Sequence, residues 1–219
     1  MNDKVSVKVC GLTREADIEL ALSLGADYLG FIVYPESPRA LTLERATELA
    51  AQVPRGKRVL VDVEPEPGDL EQYGETEFDR FQIHVNLPLD RQVLSEYSNL
   101  LGRDRLWLAP RLAPGDAFPE WVFEYTDTIL LDTYSKNRIG GTGHTGDFAR
   151  FARLRQQFAD KEWILAGGLN PLNIVAAVKS STACRVDVNS GVESAPGKKD
   201  PEKLREFFRV LREKTENMR

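Results

Sequence analysis

Residues 5–33 read VSVKVCGLTREADIELALSLGADYLGFIV. The stretch opens on a β-branched run, residues 5–10, and closes on a second, residues 28–33. Between them lies a helical pattern. Thr13 is placed to cap a helix over residues 14–24, Ile18, Ala21 and Leu22 fall on one face, and Gly25 supplies the stop. Strand, helix, strand in this order is a βα unit, and the cadence continues. Further strand-like runs occur at 58–63, 81–84, 106–110, 128–131, 163–166 and 184–188, which makes eight. Thr42 precedes a helix over 43–52. Asn170-Pro171 and Asp200-Pro201 each open a helix with proline at the first position. The last helix carries an apolar stripe of Leu204, Phe207, Phe208 and Leu211. Pro65, Pro67, Pro114 and Pro119 blur the helices after strands three to five. Eight such units in 219 residues predict an α/β fold, a single (β/α)8 TIM barrel domain over residues 1–219. An open doubly wound sheet is the alternative; no G-x-G-x-x-G follows the first strand to support its dinucleotide-binding form.

Composition narrows the class. Lys and Arg number 29 against 34 Asp and Glu, a net charge of −5, which argues against a nucleic-acid partner. Cys10 and Cys184 are too few for a disulfide framework. With His84 and His144 the only histidines and no C-x-x-C pair, no metal site is expected. No apolar run approaches a membrane span, and the first residues lack the apolar stretch of a signal peptide. The expectation is a cytoplasmic protein with no membrane partner.

In a barrel, chemistry sits at the C-terminal strand ends and in the loops after them. Glycines after strand seven (Gly167, Gly168) and strand eight (Gly191, beside Ser190) let backbone N–H groups approach a phosphate, and the helix opening at Asn170-Pro171 adds its dipole. A plain tight turn is the competing account of these glycines. Cys10 ends strand one and could act as a thiolate base if nearby cations lower its pKa. Cys184, at the opposite end of strand eight, reads as a buried small apolar residue. Asp132 follows Ile129-Leu130-Leu131, so it is expected at the edge of a dry interior, with burial raising its pKa toward that of a general acid. Arg39 suits a forked carboxylate clamp or a surface salt bridge. His84 fits a site residue or a satisfied buried histidine equally well. These residues alone reach a phosphate-binding barrel with a thiol/carboxylate pair, and no substrate.

Taken together, the motifs resemble the phosphoribosylanthranilate isomerase family. They are Lys8-Val9-Cys10-Gly11-Leu12-Thr13, Gly30-Phe31 with Ser37-Pro38-Arg39, Gln82-Ile83-His84, and Leu130-Leu131-Asp132-Thr133. Gly140-Gly141-Thr142-Gly143, Leu165-Ala166-Gly167-Gly168-Leu169-Asn170-Pro171, and residues 186–193 with Gly197-Lys198-Lys199-Asp200 complete the set. The resemblance covers essentially the whole chain. It implies an Amadori rearrangement of N-(5-phosphoribosyl)anthranilate in tryptophan biosynthesis, without cofactor. It further implies Asp132 as general acid, Cys10 as general base, and Arg39 on the anthranilate carboxylate. Gly167, Gly168, Ser190 and Gly191 would hold the phosphate, with His84 and Asp187 also in the pocket. The family includes monomers and homodimers.

The sequence departs from the family pattern in places. Val85-Asn86 stands where glycine usually follows the strand-four histidine, Gly146-Asp147-Phe148 stands for Phe-Asp-Trp, and Asn189 replaces serine. Residues 62–79 hold eight acids and no base, which reads as a solvated acidic loop. Two alternatives follow from the same residues. One is a related aminoaldose-phosphate isomerase, although such enzymes use two aspartates. The other is a weak or inactive phosphosugar-binding barrel, which would need neither Cys10 nor Asp132.

Overall fold

The computed structural model of the chain describes residues 5–86, 88, 90–113, 115–132 and 147–216. Eight parallel strands close into a barrel in sequence order. They are β1 (Ser6–Val9), β2 (Tyr28–Ile32), β3 (Arg58–Val63), β4 (Arg80–Asn86), β5 (Leu106–Arg111), β6 (Thr128–Asp132), β7 (Glu162–Ala166) and β8 (Arg185–Val188). Closure is made by β1 against β8, with Lys8 opposite Asp187 and Val9 opposite Val188. The (β/α)8 expectation is met.

Strand period two splits the apolar residues into two sets. One face, including Val7, Val9, Leu29, Phe31, Leu60, Phe81, Ile83 and Leu165, packs against the surrounding helices. The other fills the barrel interior with Val59, Val61, Trp107, Ala109, Leu130, Ile164 and Ala166, together with Cys10. Tyr28 meets Trp107 edge-on at 5.0 Å, so the interior is a packed core.

The helices are α1 (Glu15–Ser23), α2 (Leu43–Ala50), α3 (Pro67–Gly74), α4 (Arg91–Leu101), α5 (Phe148–Gln157), α6 (Ile174–Ser181) and α7 (Pro201–Glu216). Thr42 caps α2 as expected, its hydroxyl accepting from the Arg45 N–H. Asp200 likewise accepts from the Glu202 and Lys203 N–H groups at the start of α7. Pro67 begins α3 rather than interrupting it, with Glu66 and Asp69 forming a capping box. After β5 the described residues of the connection hold a short 3-10 turn, Glu120–Glu124, preceded by Pro119, and no α-helix.

Three local expectations are corrected. Thr13 does not cap α1; its hydroxyl donates to the Gly197 carbonyl at 2.6 Å, tying the β1 loop to a small hairpin of β9 (Glu193–Ala195) and β10 (Lys198–Lys199). Asn170-Pro171 leads through a turn, and α6 starts only at Ile174. Cys184 is exposed, its sulfur 3.0 Å from an Arg155 nitrogen.

The acidic stretch 62–79 is not simply solvated. Its middle forms α3, and Asp62 is buried and accepts a 2.6 Å hydrogen bond from the Tyr73 hydroxyl. Burial raises the Asp62 pKa. Glu64 adopts a left-handed backbone (φ 45°) and accepts from both the backbone and the side-chain amide of Asn86. The two departures from the family pattern, at strands three and four, are therefore partners.

The apolar stripe of α7 is fully engaged, with Phe207 completely buried. Phe207→Ala should cost about 3–5 kcal/mol, read as a lower urea midpoint at unchanged slope.

Candidate active site

At the C-terminal end of the strands lies a cavity of about 190 Å³. Cys10, Gln82, His84, Asp132, Asp187, Ser190 and the glycines 167, 168 and 191 all line it. The structure thus brings together every site residue expected from sequence except Arg39. The expected glycine loop at 140–143 lies outside the described residues.

The phosphate side is built by backbone constraint. Gly167 and Gly168 have φ of 106° and 61°, a region that favours glycine. A Cβ on Gly191 would lie 1.9 Å from the Leu169 carbonyl oxygen, so the loops after β7 and β8 touch only because Gly191 has no side chain. The side-chain amides of Asn170 and Asn173 both donate to the Gly168 carbonyl and hold it still. Among the described residues, the N–H groups of Gly167, Gly168, Ser190 and Gly191 take no hydrogen-bond partner. Such unpaired donors around one cavity suit an oxyanion.

The thiol side is buried. Cys10 follows β1, is only 3% exposed, and its N–H donates to the Val188 carbonyl. Burial pushes the thiol up, against the opposing pull of Lys8 and Lys199, with Asp187 adding to the rise. The lowering by cations that was the condition for a ready thiolate is outweighed by desolvation.

Asp132 ends β6 and is exposed at the cavity mouth. Ile129, Leu130 and Leu131 before it are buried, so it does stand at the edge of a dry interior, but its own side chain is exposed rather than desolvated.

Arg39 is already paired. Its Nε and Nη2 fork onto Glu193 at 2.5–3.2 Å, and Glu193 also accepts from Lys199 and the Gly197 N–H. The two parallel bonds expected for a substrate carboxylate are spent on an internal one. Arg39 still lies beside the site, because a Cβ on Gly11 would come within 2.6 Å of its Cδ.

His84 is held neutral: burial, then the charges of Lys8 and Arg111, lower its pKa to about 4. Gln82 and His84 approach at 2.9 Å through Nε2 atoms. Gln82 itself is 1% exposed, and its Oε1 is buried without a partner.

Lys8, Gln82, Glu193 and Lys199 belong to the site although sequence reasoning gave them no role. Lys8 donates to Asp187 at 3.0 Å with both side chains buried. A lysine at an inward position of a closed barrel was the available signal. Its partner, 179 residues away, was not visible.

A profile of the family described as "N-(5'phosphoribosyl)anthranilate (PRA) isomerase" matches residues 7–210. An N-(5'-phosphoribosyl)anthranilate isomerase of Paracoccus denitrificans is 38% identical, over 93% of this chain and 95% of its own. Among solved structures, a phosphoribosyl anthranilate isomerase from Thermus thermophilus superposes with a TM-score of 0.77 at 31% identity, covering 95% of this chain and 98% of that one. Another phosphoribosyl anthranilate isomerase, in complex with reduced 1-(o-carboxyphenylamino)-1-deoxyribulose 5-phosphate, gives 0.74 at 27% identity, covering 95% and 99%.

The neutral state of His84 has a stability consequence. The unfolded chain protonates this ring near 6.5 and the folded protein only near 4, so the unfolded state binds more protons between these values. The contribution is complete above pH 6.5 and disappears as pH falls toward 4, up to about 3 kcal/mol. Urea unfolding of the parent and His84→Gln across this range should show the parent losing stability faster. Parallel curves would contradict a buried neutral ring.

Proposed function

The chain belongs to the N-(5'phosphoribosyl)anthranilate (PRA) isomerase family, and we propose from that premise how its cavity performs the family's reaction. The reaction isomerises N-(5-phosphoribosyl)anthranilate to 1-(2-carboxyphenylamino)-1-deoxyribulose 5-phosphate in tryptophan biosynthesis. The observation that carries the mechanism is the placement of a thiol on one side of the barrel mouth and a carboxyl group on another, around one cavity edged by unpaired N–H groups.

The phosphate binds the N–H groups of Gly167, Gly168, Ser190 and Gly191, which fixes one end of the substrate. Asp132, in its protonated form, gives a proton to the ribose ring oxygen; the C1–O bond breaks and the nitrogen lone pair forms an iminium. The positive nitrogen acidifies the C2 proton. The Cys10 thiolate takes that proton, the C2–H electron pair becomes the C1–C2 double bond, and the iminium π pair returns to nitrogen. The resulting enolamine tautomerises to the ketose, which restores both groups.

Arg39 keeps its fork on Glu193. Its Nη1, which has no hydrogen bond among the described residues, is the edge left for the anthranilate carboxylate. His84, neutral and paired with Gln82, contributes a hydrogen-bonding group rather than a charge. Asp187 lines the same wall. No helix among the described residues is long and apolar enough to cross a membrane, and we assign the protein to the cytoplasm, as a monomer or homodimer.

Loss of substrate fluorescence, with the labile substrate generated in place, measures turnover. Cys10→Ala and Asp132→Asn should each lower kcat by about 10²–10⁴-fold while remaining folded. Because burial raises the thiol, kcat/KM of the parent should still be climbing with pH in the ordinary thiol range rather than levelling below it. Undiminished turnover in Cys10→Ala would remove cysteine as the base.

A further inference from the structure

Lys8 is a buried charge that the acid–base pair does not itself employ. It lies two residues before Cys10 on β1, so both project into the barrel. Its ammonium is essentially inaccessible and donates to Asp187 Oδ1 at 3.0 Å, across the seam where β1 meets β8. The third feature is on β2. A Cβ placed on Gly30 would lie 2.9 Å from the Cys10 sulfur and 3.0 Å from the Lys8 nitrogen. Sulfur and ammonium therefore flank one point and stand no more than about 6 Å apart, a range over which opposite charge favours an ionised group.

A buried ion pair is a weak device for stability, since an apolar pair of similar volume commonly does as well or better. The same pair next to a sulfur that must become an anion has an electrostatic use. We propose that Lys8, held in place by Asp187, is a positioning residue for the base: its ammonium stabilises the Cys10 thiolate in the state that precedes transfer of the C2 proton. The proposal deepens the isomerase reading and rests on Cys10 being the base.

The charged and titratable groups around the sulfur come from several elements. Lys8 is on its own strand, Arg39 follows β2, and His84 is on β4. Asp132 is on β6, Asp187 on β8 and Lys199 on β10. Glu193 neutralises part of Arg39 and Lys199, and His84 is neutral. Lys8 is the cation among these whose ammonium and the Cys10 sulfur both pack over Gly30. Asp187 acts on the sulfur in the opposite sense. The two members of the ion pair therefore have opposite effects on the thiol, which a structural role for the pair does not predict.

The test uses the full chain in a Cys184→Ser background, where Cys10 is the remaining cysteine. The Cβ resonance of labelled Cys10 is followed by NMR against pH in the parent, Lys8→Met and Asp187→Asn. Lys8→Met should move the thiol titration to higher pH by roughly tenfold or more in ionisation constant, and Asp187→Asn should move it lower. The kcat/KM profile should follow the same directions. An unmoved titration in Lys8→Met, or a shift of the same sign in both variants, would overturn the proposal. Should Lys8→Met fail to fold, an upward or absent shift in Asp187→Asn overturns it alone. The titration needs no substrate, so failure of the isomerase reading would appear separately, as a folded parent without turnover.

Discussion

The ion pair between Lys8 and Asp187 sits where the barrel closes. β1 and β8 are the first and last strands of the sheet, and their register sets these two residues side by side. The Lys8 ammonium is out of reach of water, so it depends on Asp187, which itself borders the cavity. Fixing the pair fixes the positions two residues further along each strand: Cys10 on one, Asn189 on the other. Asn189 in turn accepts from Lys199 and lies over Gly11. The β1 loop, the β8 loop and the small hairpin are thus held by one connected polar network, which Glu193 extends to Arg39.

Beneath that network the barrel is dry. Trp107, Tyr28, Val59 and Leu130 pack the interior, and the cavity lies at the C-terminal rim. Above it, the approach of the loops after β7 and β8 depends on the missing side chain of Gly191. Phosphate recognition through backbone donors and proton transfer through side chains are consequently set by different structural elements. A change in the thiol's surroundings can leave the anion site intact.

The sequence carried the barrel because strand period and βα spacing survive in every unit, and the glycine loops because backbone geometry demands that residue. Cys10 and Asp132 were legible as strand-end residues. Their environments were not. The desolvation of Cys10 outweighs its neighbouring cations, and Asp132 ends exposed, neither of which a local pattern encodes. Arg39 could not be assigned from its surroundings because its partner lies 154 residues away. Asp62 read as loop acid because its Tyr73 hydroxyl donor is on the following helix, across a stretch that prolines made hard to read. Glu64 and Asn86 read as two separate irregularities, whereas they hydrogen-bond across adjacent strands.

The charges around the sulfur also order the chemistry. With Asp132 in the protonated form that the reaction requires, Lys8, Arg39 and Lys199 face two carboxylates, Asp187 and Glu193, which leaves a surplus of one positive charge near the thiol. The substrate arrives with a carboxylate and a phosphate and draws on that same surplus, so binding alone makes the thiolate harder to form. Ring opening reverses this. The iminium created by Asp132 acidifies the C2 proton and sets a cation against the sulfur's negative charge, so the thiolate, formed beforehand, meets a proton it can take. A thiol whose pKa is held up yields, once ionised, a stronger base for that proton, and the buried lysine offsets part of the cost of forming the thiolate before the substrate rearranges.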